Sequence, residues 1–455
     1  MDKREELFQN APIGTSVFQM AIPSVISSLV LVIYNMADTF FIGQTHDPQQ
    51  VAAVSLTNAV FVMYMAIAQL FGIGGSAMTS IVLGKGEHKK AKAVSSFCFY
   101  GSLVFGAAAG AVIIVFMDPI LALLGSNGET WQYSKDYLFY IALGAPFILL
   151  ANAFGHAVRG EGAAKASMIG GMIGTVVNII LDPVFILTFQ MGTAGAAIAT
   201  VLGNVFGCAY YLYYLTKKSP SMSCHIQYLK GCSPAAKQVM AIGIPAGISS
   251  ALMSIATVVL NNSLVPYGDT AVAAMGIVTK VYLFIVFIHM GISNGIQPLL
   301  GYCYGAGNRN RFIGILKFSG ILTVVCGSIL TVGYVGFSKE IVRLFMDNPE
   351  VIRYGAPMLI AASLAGPVLG LLFLSINSMQ ALNCPFPATM LSLCRQGLFF
   401  IPLLFLLGRK FGLDGISITQ TASDYLAIVI ALVLLAVSVK KAFPAKKTVV
   451  HFTWG

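Results

Sequence analysis

Long apolar runs separated by short polar segments recur from one end of the chain to the other. Twelve are visible, at approximately 15–43, 51–82, 93–117, 133–158, 166–189, 193–216, 237–265, 271–303, 312–337, 354–381, 386–408 and 414–439. About 20 apolar residues suffice for an α-helix to cross a bilayer. Several of these runs are longer than 25, so tilt or extension beyond the hydrocarbon is expected. Ten-residue stretches alternating apolar and polar positions are missing, which argues against a membrane β-barrel. The pattern predicts an all-α polytopic membrane protein with twelve transmembrane helices, numbered here as spans 1 to 12.

The runs fall into two halves. Ile22-Pro-Ser-Val-Ile-Ser-Ser28 recurs as Ile244-Pro-Ala-Gly-Ile-Ser-Ser250. Gly84-Lys-Gly86 recurs as Gly305-Ala-Gly307, and Ala145-Pro146 as Gly366-Pro367. Pro183 corresponds to Pro402, and Gly195 to Gly415. The offsets all lie between 219 and 222 residues. Six spans per half return the chain to its starting side, so the halves insert in the same orientation, related by a pseudo-two-fold axis along the membrane normal. The expected division is an N-lobe at 1–216, a polar inter-lobe linker at 217–236 and a C-lobe at 237–455.

Composition sharpens this picture. The chain is 57% hydrophobic and 10% charged, against about 25% charged residues in soluble domains. The net charge of +10 would suit a nucleic-acid binder. However, 19 of the 27 lysines and arginines fall in one set of alternate loops and termini, and six in the other. That asymmetry is the positive-inside rule. It predicts two cytosolic termini, no nucleic-acid partner and a multi-pass protein of the bacterial cytoplasmic (inner) membrane. The eight cysteines include no CxxC pair and read as reduced. Met1 to Asn10 is charged and the first run is long, so no cleavable signal is expected. No P-loop, GxSxG or HExxH motif occurs; the chain is expected to be neither an ATP-driven pump nor an enzyme, and to need no cofactor.

Candidate chemistry lies in the charges within the apolar runs. Asp38, Asp182 and Asp424 are the acids deep inside them. An intramembrane carboxylate costs roughly 2.5–3.5 kcal/mol on insertion scales and marks ion pathways. Asp182 follows Asn178 by four residues, on one helical face. Pro183 beside it withholds an N–H from the Ile179 carbonyl and weakens the helix. Asp38 and Asp182 both lie about one-third of a span from the outer face and could meet; two such carboxylates cannot easily both ionise, so one would hold a proton or share a cation. Asn178 could supply a carbonyl ligand or a bond across helices. Thr200 could serve likewise or bond its own backbone. Pro23 gives span 1 a bending point or a static kink. Asp424 has Arg395 in the neighbouring span, and a structural ion pair is expected. His156 and His289 read as packing residues, Lys280 is unassigned, and Glu161 in Arg159-Gly-Glu-Gly162 reads as a solvated turn.

Twelve spans in two parallel halves, Tyr34-Asn-Met-Ala-Asp-Thr-Phe-Phe-Ile-Gly43, the NxxxDP of Asn178–Pro183 and the Arg159-Gly-Glu-Gly turn together resemble the multidrug and toxic compound extrusion (MATE) family. The wording of spans 1 and 5 is similar to that of MepA-like bacterial members. The resemblance covers nearly the whole chain. It implies a V-shaped pair of lobes, alternating access, and export of organic cations or drug-like small molecules against H+ or Na+. It also implies a cation site at Asp38, Asn178, Asp182 and Thr200, with Na+ possible at the two acids. Members with acids in spans 7 and 10 exist; here those spans offer Asn261, Asn262, Asn377 and Gln380. The expected partners are such substrates and membrane lipids, with the monomer as functional unit. Tyr34, Phe61, Met65, Phe284 and Met290 are the expected aromatic and thioether lining of the substrate cavity.

Two rival functions stay open. A lipid or lipid-linked saccharide flippase of the same superfamily would need a basic lumen for its anionic cargo. A non-transporting membrane receptor would not need two mobile repeats.

Overall fold

The structure, a computed structural model, describes residues 3–45, 47–229 and 233–444. Among them every regular element is a helix. Spans 1 to 6 are Ile13–Gly43, Pro48–Gly84, His88–Val115, Trp131–Gly160, Ala164–Thr188 and Gly192–Lys217. Spans 7 to 9 are Pro234–Tyr267, Asp269–Gly305 and Arg309–Gly336. Span 10 is a broken pair, Pro349–Ser363 and Gly366–Ala381, bent by 46°. Pro367, without an N–H to give, stands just after the break.

The last apolar stretch, Pro385–Ala442, is 58 residues long, far more than one crossing requires. It contains two spans joined at Gly412, whose φ of 59° suits glycine and few other residues. Beyond this corner the chain folds back so tightly that a Cβ on Gly415 would strike the Leu407 carbonyl. Among the described residues the count is therefore twelve, as the apolar pattern predicts.

Both lobes interrupt the same helix with a wide turn. In span 5 regular α-helix ends at Asp182, and a π-helical turn runs Pro183–Thr188. The missing N–H of Pro183 is the local cause. In span 11 a second π-helical turn covers Cys394–Phe399 and holds Arg395. Each lobe thus carries a buried charge at a place where the helix is already loosened.

Packing of the apolar faces differs between the two ends of the bundle. At the end bearing the basic loops, one core draws on both lobes, with Met20, Phe71 and Met78 against Val239, Ile296 and Leu299. At the opposite end there are two separate cores. One is built around Tyr64, Leu138 and Ile141 of the first lobe, the other around Leu264, Val278 and Leu404 of the second. The lobes are thus joined at the basic end and apart at the other. The seam pairs span 1 with span 8 and span 2 with span 7. Backbones touch there: a Cβ on Gly243 would strike the Leu70 carbonyl, and one on Gly291 would lie 2.6 Å from Val25 Cα. Such small-residue contacts are how membrane helices approach closely without a hydrophobic driving force.

A short helix, Lys3–Gln9, lies across this seam. Phe8 stacks on Tyr302 with ring centroids 4.7 Å apart. Arg311 Nη2 donates to the carbonyls of Leu7 and Ala11 at 3.1 and 2.8 Å. Arg4 pairs with Glu161 at 2.9 Å. Glu161 is only 2% exposed, contrary to the solvated turn expected of it. Its carboxylate also accepts from Tyr214 Oη at 2.6 Å, Ser219 Oγ at 2.5 Å and the Ser221 N–H at 3.0 Å. These donors and one cation make a buried acid tolerable. Cys208, Cys224, Cys303, Cys326, Cys384 and Cys394 are free thiols.

Candidate functional site

Span 1 packs against span 5 within its own lobe as well as against span 8 across the seam. It brings Tyr34 and Asp38 toward Asn178 and Asp182. The Tyr34 hydroxyl is 3.2 Å from Thr200 Oγ1. Asn178 Nδ2 lies 3.3 Å from both Asp182 Oδ1 and Thr200 Oγ1. With its amide turned over, Asn178 donates to Asp182 Oδ2 at 3.2 Å and accepts the Thr200 N–H at 3.1 Å; this satisfies both ends of the amide and is the orientation the network favours. Either way Asn178 ties span 5 to span 6 through the acid.

Asp182 is fully buried and lies behind Asn178, outside the walls of the adjoining cavity. Asp38 is half-buried, within electrostatic reach of Asp182. Its Oδ1 is buried and has no hydrogen-bond partner among the described residues. An unpaired carboxylate oxygen in this setting demands a proton or a cation. Tyr137, which the linear pattern places at the outer interface, is 6% exposed and sits within reach of Asp38, Tyr34 and Asp182. Its place in the site emerges only when span 4 is packed.

Beside this network lies a cavity of about 190 Å³, inside the first lobe and reaching span 8. Tyr34, Phe61, Met65 and Met290 line it, as expected; Phe284 does not. Asn178 and Thr200 form one part of its wall. Asn152, His156 and Arg159 of span 4 form another. His156 is therefore a cavity residue and not simple packing. The run of small residues Gly170, Gly171 and Gly174 along span 5, with Gly203 and Gly207 along span 6, leaves the room.

Among the described residues the second lobe has no equivalent acid pair. Arg395 Nε donates to Asp424 Oδ1 at 2.7 Å, and Gln420 Nε2 to the same oxygen at 3.0 Å. The guanidinium lies 5.2 Å from the centre of the Phe373 ring. Asn377 donates to Asn294 at 3.2 Å, and Gln297 to Gln380 at 2.9 Å, so the span 10 amides clasp span 8. His289 is fully buried between the carbonyls of Ile285 and Thr323. Lys280 is exposed. Pro23 lies inside a helix that runs on unbroken from Ile13 to Gly43. Among the described residues, no group of three or more His, Cys, Asp or Glu could hold a metal ion.

Comparison with known proteins settles the family. The MatE family model matches residues 23–184 and again residues 245–406, the two halves of the internal repeat. The chain belongs to the MATE family. The multidrug export protein MepA of Staphylococcus aureus is 32% identical over 440 residues, spanning 95% of this chain and 96% of its own. Among solved structures, a MATE transporter in complex with MaL6 superposes with a TM-score of 0.92 at 21% identity, covering 97% of this chain and 99% of the other. A MATE family transporter in an outward-facing conformation superposes with a TM-score of 0.91 at 21% identity, covering 96% and 98%. This is accordingly a multi-pass MATE protein of a multidrug efflux family, with the two-lobe MATE fold.

Proposed function

We propose that this MATE protein exports drug-like small molecules by antiport, with inward H+ or Na+ flow as the motor. The positive-inside asymmetry supports placing both termini and the basic loops in the cytosol of a bacterial cell. On that reading the arrangement joined at the basic end is outward-facing. The observation that carries the coupling assignment is the unpaired, buried Asp38 Oδ1 facing a sealed Asp182 that Asn178 binds to Thr200.

Two carboxylates in a poorly solvated lobe repel each other when both are ionised. A proton on one of them removes the repulsion; a sodium ion between them does the same, with Asn178 and Thr200 oxygens as additional hard ligands. Loading lets span 1 settle against span 5. Because span 1 is also half of the seam with span 8, its shift changes how the lobes fit together. Occupancy of an ion site in one lobe thus biases a two-lobe equilibrium. The ion and the substrate cavity share Tyr34, Asn178 and Thr200 as a common wall, which supports exchange of one cargo for the other.

The test is efflux of ethidium from proteoliposomes under separately imposed pH and sodium gradients. Efflux driven by one gradient and lost when it is collapsed is expected. Equal efflux under neither gradient and with ATP alone would overturn the antiport reading.

A further inference from the structure

A molecule held in the first-lobe cavity can bias the two lobes only through contacts that differ between their arrangements. Nearly all of the cavity wall belongs to the first lobe and travels with it. Among the described residues, only Met290 and Asn294 reach that wall from the second lobe. They lie four residues apart on span 8, on one helical face. The closed seam puts them there. Gly291 and Gly295, on the same stretch, let span 8 lie against span 1: a Cβ on Gly295 would come within 2.6 Å of the Met20 carbonyl. If the lobes part at the basic end, Met290 and Asn294 leave the cavity while the rest of the wall stays.

Of the two, Asn294 has the directional chemistry. It is buried, and its Oδ1 accepts from Asn377 Nδ2 at 3.2 Å. Among the described residues its own Nδ2 donates to nothing. The amide keeps two N–H donors and a second oxygen lone pair for an occupant of the cavity. Met290 adds an adaptable apolar face beside it. Asn294 is also held from behind. Asn377, itself buried, lies on the second segment of span 10. Three residues further along each helix, Gln297 donates to Gln380 at 2.9 Å. On the other side His289 Nε2 is 3.2 Å from the Thr323 carbonyl of span 9. Side-chain hydrogen bonds thus fasten span 8 to its own lobe, while glycines carry its contact with span 1.

We infer that Asn294, positioned by Asn377, is the contact through which the second lobe responds to an occupied first-lobe cavity. A molecule loaded while the basic end is open meets the amide only when the seam closes. Occupancy then favours the joined arrangement by the worth of that contact. This deepens the export reading and rests on it for the direction of movement.

The test uses the full chain in lipid nanodiscs with spin labels at the outer ends of spans 1 and 7, at a pH where both distances are populated. Ethidium is the probe, and its binding is read by fluorescence anisotropy. A neutral hydrogen bond is worth about 2- to 12-fold in an equilibrium constant. In the wild type, ethidium is expected to raise the share of the longer outer distance by a factor in that range. Asn294→Leu should abolish most of this shift while still binding ethidium. In proteoliposomes it should lower the maximal efflux rate with little change in KM. Asn377→Leu, which leaves Asn294 unheld, should show the same loss in weaker form, and it serves if Asn294→Leu fails to fold. The double variant Gln297→Leu with Gln380→Leu removes an equally buried pair outside the cavity wall and should keep the full shift. No ethidium-induced shift in the wild type, a wild-type shift in Asn294→Leu, or an equal loss in the Gln297 and Gln380 double variant would overturn the inference. A full shift in Asn377→Leu would overturn its positioning role. If the shift depends on Asn294 but no ion gradient drives efflux, the inference stands and the antiport reading falls.

Discussion

Single side chains carry the coupling chemistry, and their substitution separates roles. Asp38→Asn and Asp182→Asn remove one charge each while keeping size and polarity. Both are expected to insert and fold normally yet lose gradient-driven efflux to the level of empty vesicles. Wild-type-like efflux in either variant would remove these acids from the coupling step. Asp424 should behave differently. Its carboxylate is locked to Arg395 and Gln420, and deleting one member of a buried pair costs about 3–5 kcal/mol. Asp424→Ala is expected to lower the unfolding midpoint in detergent strongly, and the double variant Arg395→Met with Asp424→Leu to recover much of that loss. A double variant as unstable as the single would mean the pair does more than satisfy itself. The acids were legible from sequence because a carboxylate inside an apolar run is anomalous wherever its side chain points. Arg159 was not. One helical turn from a polar loop it looks like another positive-inside residue, and only the packing of spans 4, 5 and 6 turns it into the cavity.

At the scale of elements, the π-helical turn after Asp182 was foreseeable, since Pro183 names the missing hydrogen bond. The matching turn at Cys394–Phe399 was not, because no proline lies within it. The first helix was equally silent: Lys3–Gln9 reads as a charged terminus until Tyr302 and Arg311 are brought to it from the other lobe. Its ion pair with Glu161 has a pH signature. Burial pushes the Glu161 carboxyl above the usual glutamate range, and Arg4 with the Ser219, Tyr214 and Ser221 donors offsets only part of that. Arg4, the helix's own contribution, acts to lower the value, so the Arg4 contact favours the ionised carboxylate. The sign follows: the ion pair holds the latch at neutral and alkaline pH, and acidifying through the raised value neutralises Glu161 and weakens it. Spin labels on the first helix and on span 8 should report longer distances at acid pH in the wild type. Glu161→Gln should lie close to the acid limit throughout. A wild-type helix that docks more tightly on acidification would reverse the assignment.

For the molecule as a whole, the decisive asymmetry is one shared core at the basic end and two separate cores at the other. The repeat was legible from landmarks such as Pro23 and Pro245, and the twelve crossings from hydropathy. The pairing of spans 1 with 8 and 2 with 7 was not, because glycines such as Gly243 and Gly291 mark close approach without naming the partner. Gly243→Val would force a side chain onto the Leu70 carbonyl. It is expected to shift the population away from the joined arrangement, read as a shorter distance between spin labels at the far ends of spans 1 and 7. Unchanged distances would mean that the seam has slack which the packing does not suggest.

The first helix also sets an order of assembly. Its partners Tyr302 and Arg311 are made roughly 300 residues after it, which at about 5–20 residues per second is tens of seconds of translation. Throughout that wait Phe8 and the Leu7 carbonyl have nothing from the second lobe to dock on. A segment made before the rest of its own lobe is thus among the last to find its place, and the nascent first half must survive in the bilayer without its clasp.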